Sequence, residues 1–67
     1  MDKRFFMQRA IENAKIAYDN GDVPVGAVIV KDGDIIAEAY NEREKGNNAI
    51  AHAEIVAIQK ACERLGR

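Results

Sequence analysis

The feature that most constrains the fold is a continuous apolar run, Val25 to Val30 (VGAVIV), which directly follows Pro24. The run is rich in β-branched residues, which favour strands, and an uninterrupted apolar strand is typical of one buried on both faces. We therefore expect a strand over Val25 to Lys31 that needs cover on both faces and a neighbouring strand on each edge.

A second strand is predicted from Asp34 to Tyr40, separated from the first by the dipeptide Asp32-Gly33. This dipeptide favours a two-residue type I′ turn, in which both central residues have positive φ, so the two strands should form an antiparallel hairpin. Gly26 inside the first strand leaves two interpretations open: tight packing against a helix, or close approach by a ligand or another backbone.

Apolar residues recur with helical spacing on both sides of the hairpin. In the first segment, about Lys3 to Asn20, the apolar residues lie on one face of a predicted helix. Asn20-Gly21 and Pro24 end this helix. The residues of this stripe are Met7, Ile11, Ala14 and Tyr18. The last segment, about Ala51 to Leu65, carries a second stripe and ends at Gly66. Its members are Ala51, Ile55, Ile58, Cys62 and Leu65.

The resulting order is α-β-β-α in 67 residues, enough for one small domain. A two-stranded sheet is marginal by itself, so we expect further strands from downstream residues or from another chain. Cys62 is the only cysteine, which excludes a disulfide within the chain and fits a reducing compartment. We interpret the chain as part of a larger fold rather than a complete one.

Charge and hydropathy exclude few functions. The net charge is −1, which demands no nucleic-acid partner. Two basic clusters are either solvated helix faces or RNA contacts: Lys3, Arg4 and Arg9, and Lys60, Arg64 and Arg67. No apolar run approaches the ~20 residues of a membrane span, and the start lacks the apolar segment of a signal peptide. We expect a cytoplasmic protein without a membrane partner.

His52 is the only histidine, and Glu54 follows it two positions later. Imidazole is a good zinc ligand, and a carboxylate outside the coordination shell can transfer protons. Residues two apart lie about 200° apart around a helix, so we expect both in a first turn, where the geometry is looser. A surface or capping role for His52 is the alternative. Cys62 is interpreted as a small buried core residue and a poor zinc ligand.

The polar segment from Asn41 to Asn48 is interpreted as a loop, and its charged residues as solvated surface. Asn41, which ends the second strand, has two interpretations. It is either a turn residue, a position that asparagine favours, or a side-chain amide presented to a ligand.

Read together, these segments resemble the cytidine/deoxycytidylate deaminase superfamily. The resemblance lies in Val23 to Val30 (VPVGAVIV), in Ala39-Tyr40-Asn41 and in Ala51 to Ile55 (AHAEI). Within the superfamily the chain is most similar to the bacterial tRNA adenosine deaminases, because of VPVGAV, AHAE and the run from Tyr40 to Glu44 (YNERE). The resemblance extends from the first helix to the end of the chain.

The resemblance implies a fold, a reaction and residue roles. The fold is the α-β-β-α N-terminal portion of a three-layer α/β/α sandwich with an incomplete sheet. The reaction is zinc-dependent hydrolytic deamination of adenosine to inosine at the wobble position of tRNA, by a homodimer that binds the anticodon loop. His52 matches the zinc-binding histidine and Glu54 the general acid and base. Asn41 matches an asparagine that binds the flipped-out base, and Pro24 and Val25 lie where the base pocket is lined.

The chain departs from the family pattern in one respect: the motif Pro-Cys-x-x-Cys, whose thiolates complete the zinc site, is absent. Since a catalytic zinc usually has three protein ligands, we expect the isolated chain to hold no stable zinc and to be inactive alone. Two alternatives stay open. One is a deaminase of a free base or nucleotide, of guanine or cytosine type; the other is a non-catalytic fragment that self-associates through its first strand.

Overall fold

The computed structural model describes residues 3–66 and shows the α-β-β-α order predicted from the sequence. The elements are α1 (Lys3–Asp19), β1 (Gly26–Lys31), β2 (Asp34–Tyr40) and α2 (Asn47–Leu65). The strands form a two-stranded antiparallel sheet. Within residues 3–66, neither helix is long and apolar enough to cross a membrane.

The hairpin has the predicted turn. Asp32 and Gly33 have φ values of 53° and 83°, and Lys31 pairs with Asp34 on either side of them. Positive φ at both central residues is the signature of a type I′ turn. Strand β1 begins at Gly26, one residue later than predicted, although the carbonyl of Val25 still accepts a hydrogen bond from the backbone N–H of Asn41 at 2.9 Å.

The two helices cover opposite faces of the hairpin. Each helix contacts both strands, whereas α1 and α2 do not contact each other within the described range. Side chains alternate along β2: Glu38 bonds to α1, so Ala37 and Ala39 face α2. Helix α2 buries an alanine at every fourth position: Ala49, Ala53, Ala57 and Ala61. Small side chains on both surfaces allow the helix and the sheet to approach closely.

The predicted apolar stripes face outward, which corrects the expectation that Cys62 is a buried core residue. Cys62 is exposed, and Ile55 and Ile58 on the same stripe are each 54% exposed. On α1, Met7 and Tyr18 are likewise exposed. The physical reason is that a two-stranded sheet covers only one side of each helix, and the side with the smaller residues allows the closer contact.

Helix α2 begins four residues earlier than predicted, at Asn47, so the loop ends at Gly46. Gly46 occupies the N-cap position with φ 58° and ψ −139°, and no side chain caps the helix. His52 is consequently the sixth residue of the helix rather than a first-turn residue, which corrects the expected geometry of the His52–Glu54 pair. The C-terminal end matches the prediction, with Gly66 in the left-handed conformation (φ 75°).

Gly26 is the point of closest contact between β1 and α1. A Cβ atom built there would lie 2.7 Å from the backbone nitrogen of Ala14 and 2.8 Å from Cβ of Asn13, and would also collide with the carbonyl oxygen of Ala10. Of the two interpretations of this glycine, the structure therefore supports packing against the first helix.

Candidate functional site

Asn41 connects the segment before β1 with the loop after β2. Its side chain is completely buried, and Nδ2 donates hydrogen bonds to the carbonyl of Glu44 at 2.8 Å and to that of Val23 at 3.2 Å. Its Oδ1 is buried and has no hydrogen-bond partner among the described residues. Asn41 therefore holds two loops together and keeps one acceptor available.

Pro24 and Val25 lie next to this connection. The carbonyl of Val25 accepts a hydrogen bond from the backbone N–H of Asn41, and the carbonyl of Val23, on the other side of Pro24, accepts one from the side-chain amide of Asn41. Pro24 is exposed and Val25 is half-buried. The structure thus brings Pro24, Val25 and Asn41 together at one end of the hairpin.

His52 is half-buried on α2, and its Nε2 is buried without a hydrogen-bond partner in the described part of the chain. The residue lines a polar hollow of about 520 Å³ together with residues from two other segments. These are Asn20 and Asp22 from the turn after α1, and Glu42 and Arg43 from the loop after β2. The volume falls within the ~300–1,000 Å³ of ordinary small-molecule sites.

Glu54 lies on a different side of α2 from His52. It is exposed and lines two shallow grooves beside Ala27 and Val28 of β1, whereas His52 lines the polar hollow. The separation follows from the helix geometry, since residues two apart differ by about 200° around the axis. Residues 3–66 therefore do not place the two side chains in one cavity.

Whether the chain can bind zinc depends on which side chains could act as ligands. An imidazole nitrogen that is buried without a partner, as Nε2 of His52 is, suits a metal ligand. However, no group of three or more His, Cys, Asp or Glu side chains within residues 3–66 could hold a metal ion. Cys62 is exposed and lies ten positions further along the same helix. The described residues therefore fit one ligand of a zinc site and not a complete site.

An ion-pair network joins α1 to β2 and was not predicted. The guanidinium of Arg9 bonds to the carboxylate of Glu38, and Asn13 donates to the same carboxylate at 2.9 Å. The hydrogen bond from Arg9 is the main cause that lowers the pKa of Glu38, and burial opposes it. Lys60 of α2 donates to the backbone carbonyl of Glu38 at 3.3 Å. Arg9 and Lys60 therefore have contacts within the fold, while Arg67 lies outside the described residues.

The polar hollow beside His52 was not predicted from the sequence either. Glu42 and Arg43 lie in a charged loop, and the sequence pattern favours solvated surface residues at these positions. The only signal in the sequence is their position directly after Asn41, a candidate site residue in its own right. Glu42 and Arg43 lie close to Asp22 because the hydrogen bonds of Asn41 hold the two loops together. A sequence pattern does not show such hydrogen bonds.

Known proteins resemble this chain closely in sequence. The tRNA-specific adenosine deaminase of Aquifex aeolicus (strain VF5) is 49% identical over 65 residues, which are 97% of this chain and 43% of that protein. The tRNA-specific adenosine deaminase of Bacillus subtilis (strain 168) is 51% identical over 61 residues, covering 91% of this chain and 38% of that protein. The chain thus spans about two fifths of the length of these curated relatives.

Solved structures and a family model agree with these relatives. A structure from studies of A-to-I editing by tRNA:A34 deaminases matches with a TM-score of 0.83 and 43% identity, over 100% of this chain and 52% of that one. The guanine deaminase of Bacillus subtilis matches with a TM-score of 0.79 and 48% identity, over 98% and 43%. The model of the cytidine and deoxycytidylate deaminase zinc-binding region matches residues 1–67. Because that match spans the whole chain, this protein belongs to the cytidine and deoxycytidylate deaminase family.

Proposed function

We propose that residues 1–67 are the N-terminal part of a single deaminase domain, and that the complete protein deaminates adenosine to inosine at the wobble position of tRNA. The observation that carries this proposal is the 49–51% identity, over more than nine tenths of the chain, to relatives named tRNA-specific adenosine deaminase. The reaction is a hydrolysis: a C6–O bond forms from water, the C6–N6 bond breaks, and ammonia leaves.

In this proposal His52 is a zinc ligand, and the remaining ligands come from parts of the complete protein beyond these residues. The buried Nε2 that lacks a hydrogen-bond partner supports this role. When bound, zinc lowers the pKa of a water molecule and so supplies the nucleophile. Glu54 is the general acid and base: its carboxylate accepts a proton from the attacking water and returns a proton to the leaving nitrogen.

Asn41, Pro24 and Val25 form the base-binding part of the site. Oδ1 of Asn41 is a buried acceptor without a partner, suited to an N–H donor of the base. Pro24 and Val25, at the same end of the hairpin, supply apolar surface for the flat ring. Removal of water from this side would strengthen the single polar contact with Asn41.

The partner in this proposal is the anticodon loop of a tRNA, and the complete protein acts in the cytoplasm as a homodimer. The exposed apolar stripe of α2, which includes Ile55 and Ile58, supports association, because such surface is normally covered by another protein surface. The chain of 67 residues alone is expected to be inactive, since it contributes one histidine to a site that needs three protein ligands.

The experiment is an inosine assay with the complete enzyme and a tRNA that has adenosine at the wobble position. Inosine should form at that position only, and Glu54→Gln should reduce kcat by at least about 100-fold, because loss of a general acid and base has that effect. Glu63→Gln, a matched change at an exposed site on the same helix, should leave the rate unchanged. Absence of inosine with a zinc-loaded, folded enzyme would contradict the proposal.

A second candidate function is favoured by one observation, the similarity to a guanine deaminase structure at 48% identity. Assays with free guanine, cytosine and their nucleotides, run beside the tRNA assay, separate the two functions. Ammonia release from a free base without inosine formation in tRNA would favour this alternative. A third alternative, a non-catalytic fragment that self-associates through β1, requires that neither activity is found.

A further inference from the structure

The loop between β2 and α2 is short and has an unusual backbone. It spans residues 42–46 and joins Asn41, the proposed base-binding residue, to the helix that carries His52 and Glu54. Arg43 has φ 70° and Gly46 has φ 58°. Residues with positive φ keep this conformation only where the surrounding structure holds them in it, and they cluster near functional sites. The question is therefore which contacts hold this loop and what they place.

The start of the loop is fixed by Asn41. The side chain of Asn41 is completely buried, and its Nδ2 donates a hydrogen bond of 2.8 Å to the carbonyl of Glu44. Water does not compete for a hydrogen bond in such a position. Because only Lys45 separates Glu44 from Gly46, the chain enters Gly46 from a fixed direction.

The end of the loop depends on the backbone of Gly46. This glycine is the N-cap of α2, but no side chain of residues 3–66 caps the helix there. Its φ of 58° and ψ of −139° lie near the region of backbone conformation that is essentially restricted to glycine. A Cβ atom built at Gly46 would meet no atom of the described residues within 4 Å. Glycine is therefore required for the backbone conformation and not for lack of space.

A short path connects Gly46 to the residues proposed at the reaction centre. The carbonyl of Gly46 accepts a hydrogen bond from the backbone N–H of Ala49 at 3.1 Å. Ala49 and Ala53, one turn apart, are completely buried on the face of α2 that packs on the sheet. Ala53 lies between His52 and Glu54 in the sequence. The direction in which the chain leaves Gly46 therefore sets where this closely packed turn lies, and with it the two side chains.

We propose that Gly46 is a positioning residue for the deamination. Its backbone conformation directs α2 so that His52 and Glu54 take their places relative to Asn41, which holds the base. An L-amino acid at this position must adopt another conformation, and α2 then starts in a different direction. This inference rests on the proposed function, because the roles of His52, Glu54 and Asn41 come from it.

The test compares L-alanine with D-alanine at position 46 of the complete enzyme. The mirror image of the Gly46 conformation lies in the polyproline II region, so a D-residue adopts the Gly46 conformation readily and an L-residue does not. Both residues add the same methyl group. The D-alanine enzyme is made by ligation of a synthetic segment, residues 1–61, to a recombinant segment that begins with Cys62.

Gly46→Ala should lower kcat for inosine formation at least about tenfold and change KM less than about twofold, because misplaced catalytic groups lose transition-state interactions while the base-binding residues stay in place. Its zinc affinity, measured by competition with a chelator, should fall about tenfold. D-alanine at position 46 should return kcat and zinc affinity to within about twofold of the wild-type values, because it fits the native backbone.

Gly33→Ala is the matched control. Gly33 also has a positive φ, of 83°, and a Cβ atom there would meet no described atom within 4 Å. It lies in the hairpin turn between β1 and β2, away from the loop that leads into α2. Gly33→Ala should therefore lower the stability but leave kcat and zinc affinity unchanged.

Thermal unfolding establishes which variants are folded at the assay temperature. Wild-type kcat and zinc affinity in folded Gly46→Ala would overturn the inference, and so would equal losses of both in Gly33→Ala. A folded D-alanine enzyme with impaired kcat or zinc affinity would overturn it by itself, even where Gly46→Ala does not fold. Failure of the proposed function has a different signature: the zinc-loaded wild-type enzyme forms no inosine in tRNA, whereas the zinc affinities still test the placement of His52.

Discussion

Arg9 and Glu38, which lie 29 positions apart in the sequence, form a bidentate ion pair that joins α1 to β2. The Nη2 atom of Arg9 lies 2.7 Å from Oε1 and 2.9 Å from Oε2 of Glu38, and Nε lies 3.0 Å from Oε1. Asn13 donates to Oε1 as well, at 2.9 Å. This carboxylate therefore accepts four hydrogen bonds from one helix, a geometry that fixes the helix against the strand.

The ion pair predicts a loss of stability at acidic pH. Hydrogen bonding from Arg9 lowers the pKa of Glu38 in the folded state, so the folded protein binds the proton less readily than the unfolded chain. The contribution to stability is complete above the ordinary carboxyl pKa of about 4.3 and is lost as the pH falls through the lowered value. The raised pKa of Arg9 has no effect in this range, because arginine stays protonated throughout.

Urea denaturation between pH 2.5 and pH 7 measures this effect. The free energy of unfolding of the wild-type protein should decrease below about pH 4.3. In Glu38→Gln this decrease should be smaller, since the variant has no carboxyl group to protonate at this position. Glu63→Gln serves as the control and should retain the wild-type pH dependence. Identical pH profiles for the wild type and Glu38→Gln would contradict the prediction.

The close contact between Gly26 and α1 leaves no room for a methyl group at this position. Gly26→Ala should destabilise the protein by about 3 kcal/mol, because the added Cβ would meet backbone atoms of α1 that cannot rotate away. Gly33→Ala is the control: its Cβ would meet open space, and the positive φ of 83° should cost only about 1–2 kcal/mol. Equal losses of stability in the two variants, measured by denaturation, would show that α1 moves aside.

Asn41→Asp should be strongly destabilising although the two side chains have the same shape. The change removes two hydrogen bonds from Nδ2 and places carboxylate oxygens against the carbonyls of Val23 and Glu44. Leaving such groups unsatisfied in a fully buried position should cost at least about 2–3 kcal/mol, measured by denaturation. Asn48→Asp makes the same chemical change at an exposed site in the first turn of α2, where a negative charge is tolerated or favourable. A similar stability of both variants would be evidence against the role of Asn41 as a connection between two loops.

The two faces of α2 should differ in how strongly a substitution changes the stability. Ala57 is 1% exposed against the sheet, so Ala57→Leu should cost about 1–3 kcal/mol through overpacking. Ile58→Gln, on the exposed stripe, should change the unfolding free energy by less than about 0.5 kcal/mol. It should also reduce self-association of the chain in sedimentation experiments. The prediction fails if Ile58→Gln is the more destabilising change.

Zinc content gives a direct test of the ligand set. The chain of 67 residues, confirmed by intact mass, should contain far less than one zinc per chain after dialysis, because residues 3–66 offer no group of three potential ligands. The complete enzyme should hold about one zinc per protomer, and His52→Ala should release it. Stoichiometric zinc in the 67-residue chain would mean that several chains combine their ligands or that a carboxylate has been overlooked.

The sequence by itself determined the type and order of the secondary-structure elements and indicated the family. Local interactions are sufficient for the secondary-structure elements: Asp32-Gly33 favours the type I′ turn, β-branched residues favour β1, and Gly66 ends α2 in the left-handed conformation. The order of VPVGAV, YNERE and AHAE was sufficient to indicate the deaminase superfamily, and the family match over residues 1–67 agrees with it.

Only the tertiary structure decided which helix face is buried and which side chains meet. Both the alanine stripe and the isoleucine stripe of α2 have helical spacing, so periodicity could not choose between them; the close approach to Ala37 and Ala39 buries the alanines. The start of α2 at Asn47, not Ala51, moved His52 out of the first turn. The ion pair of Arg9 with Glu38 and the hollow beside His52 join residues distant in sequence, and such contacts arise only when the chain packs.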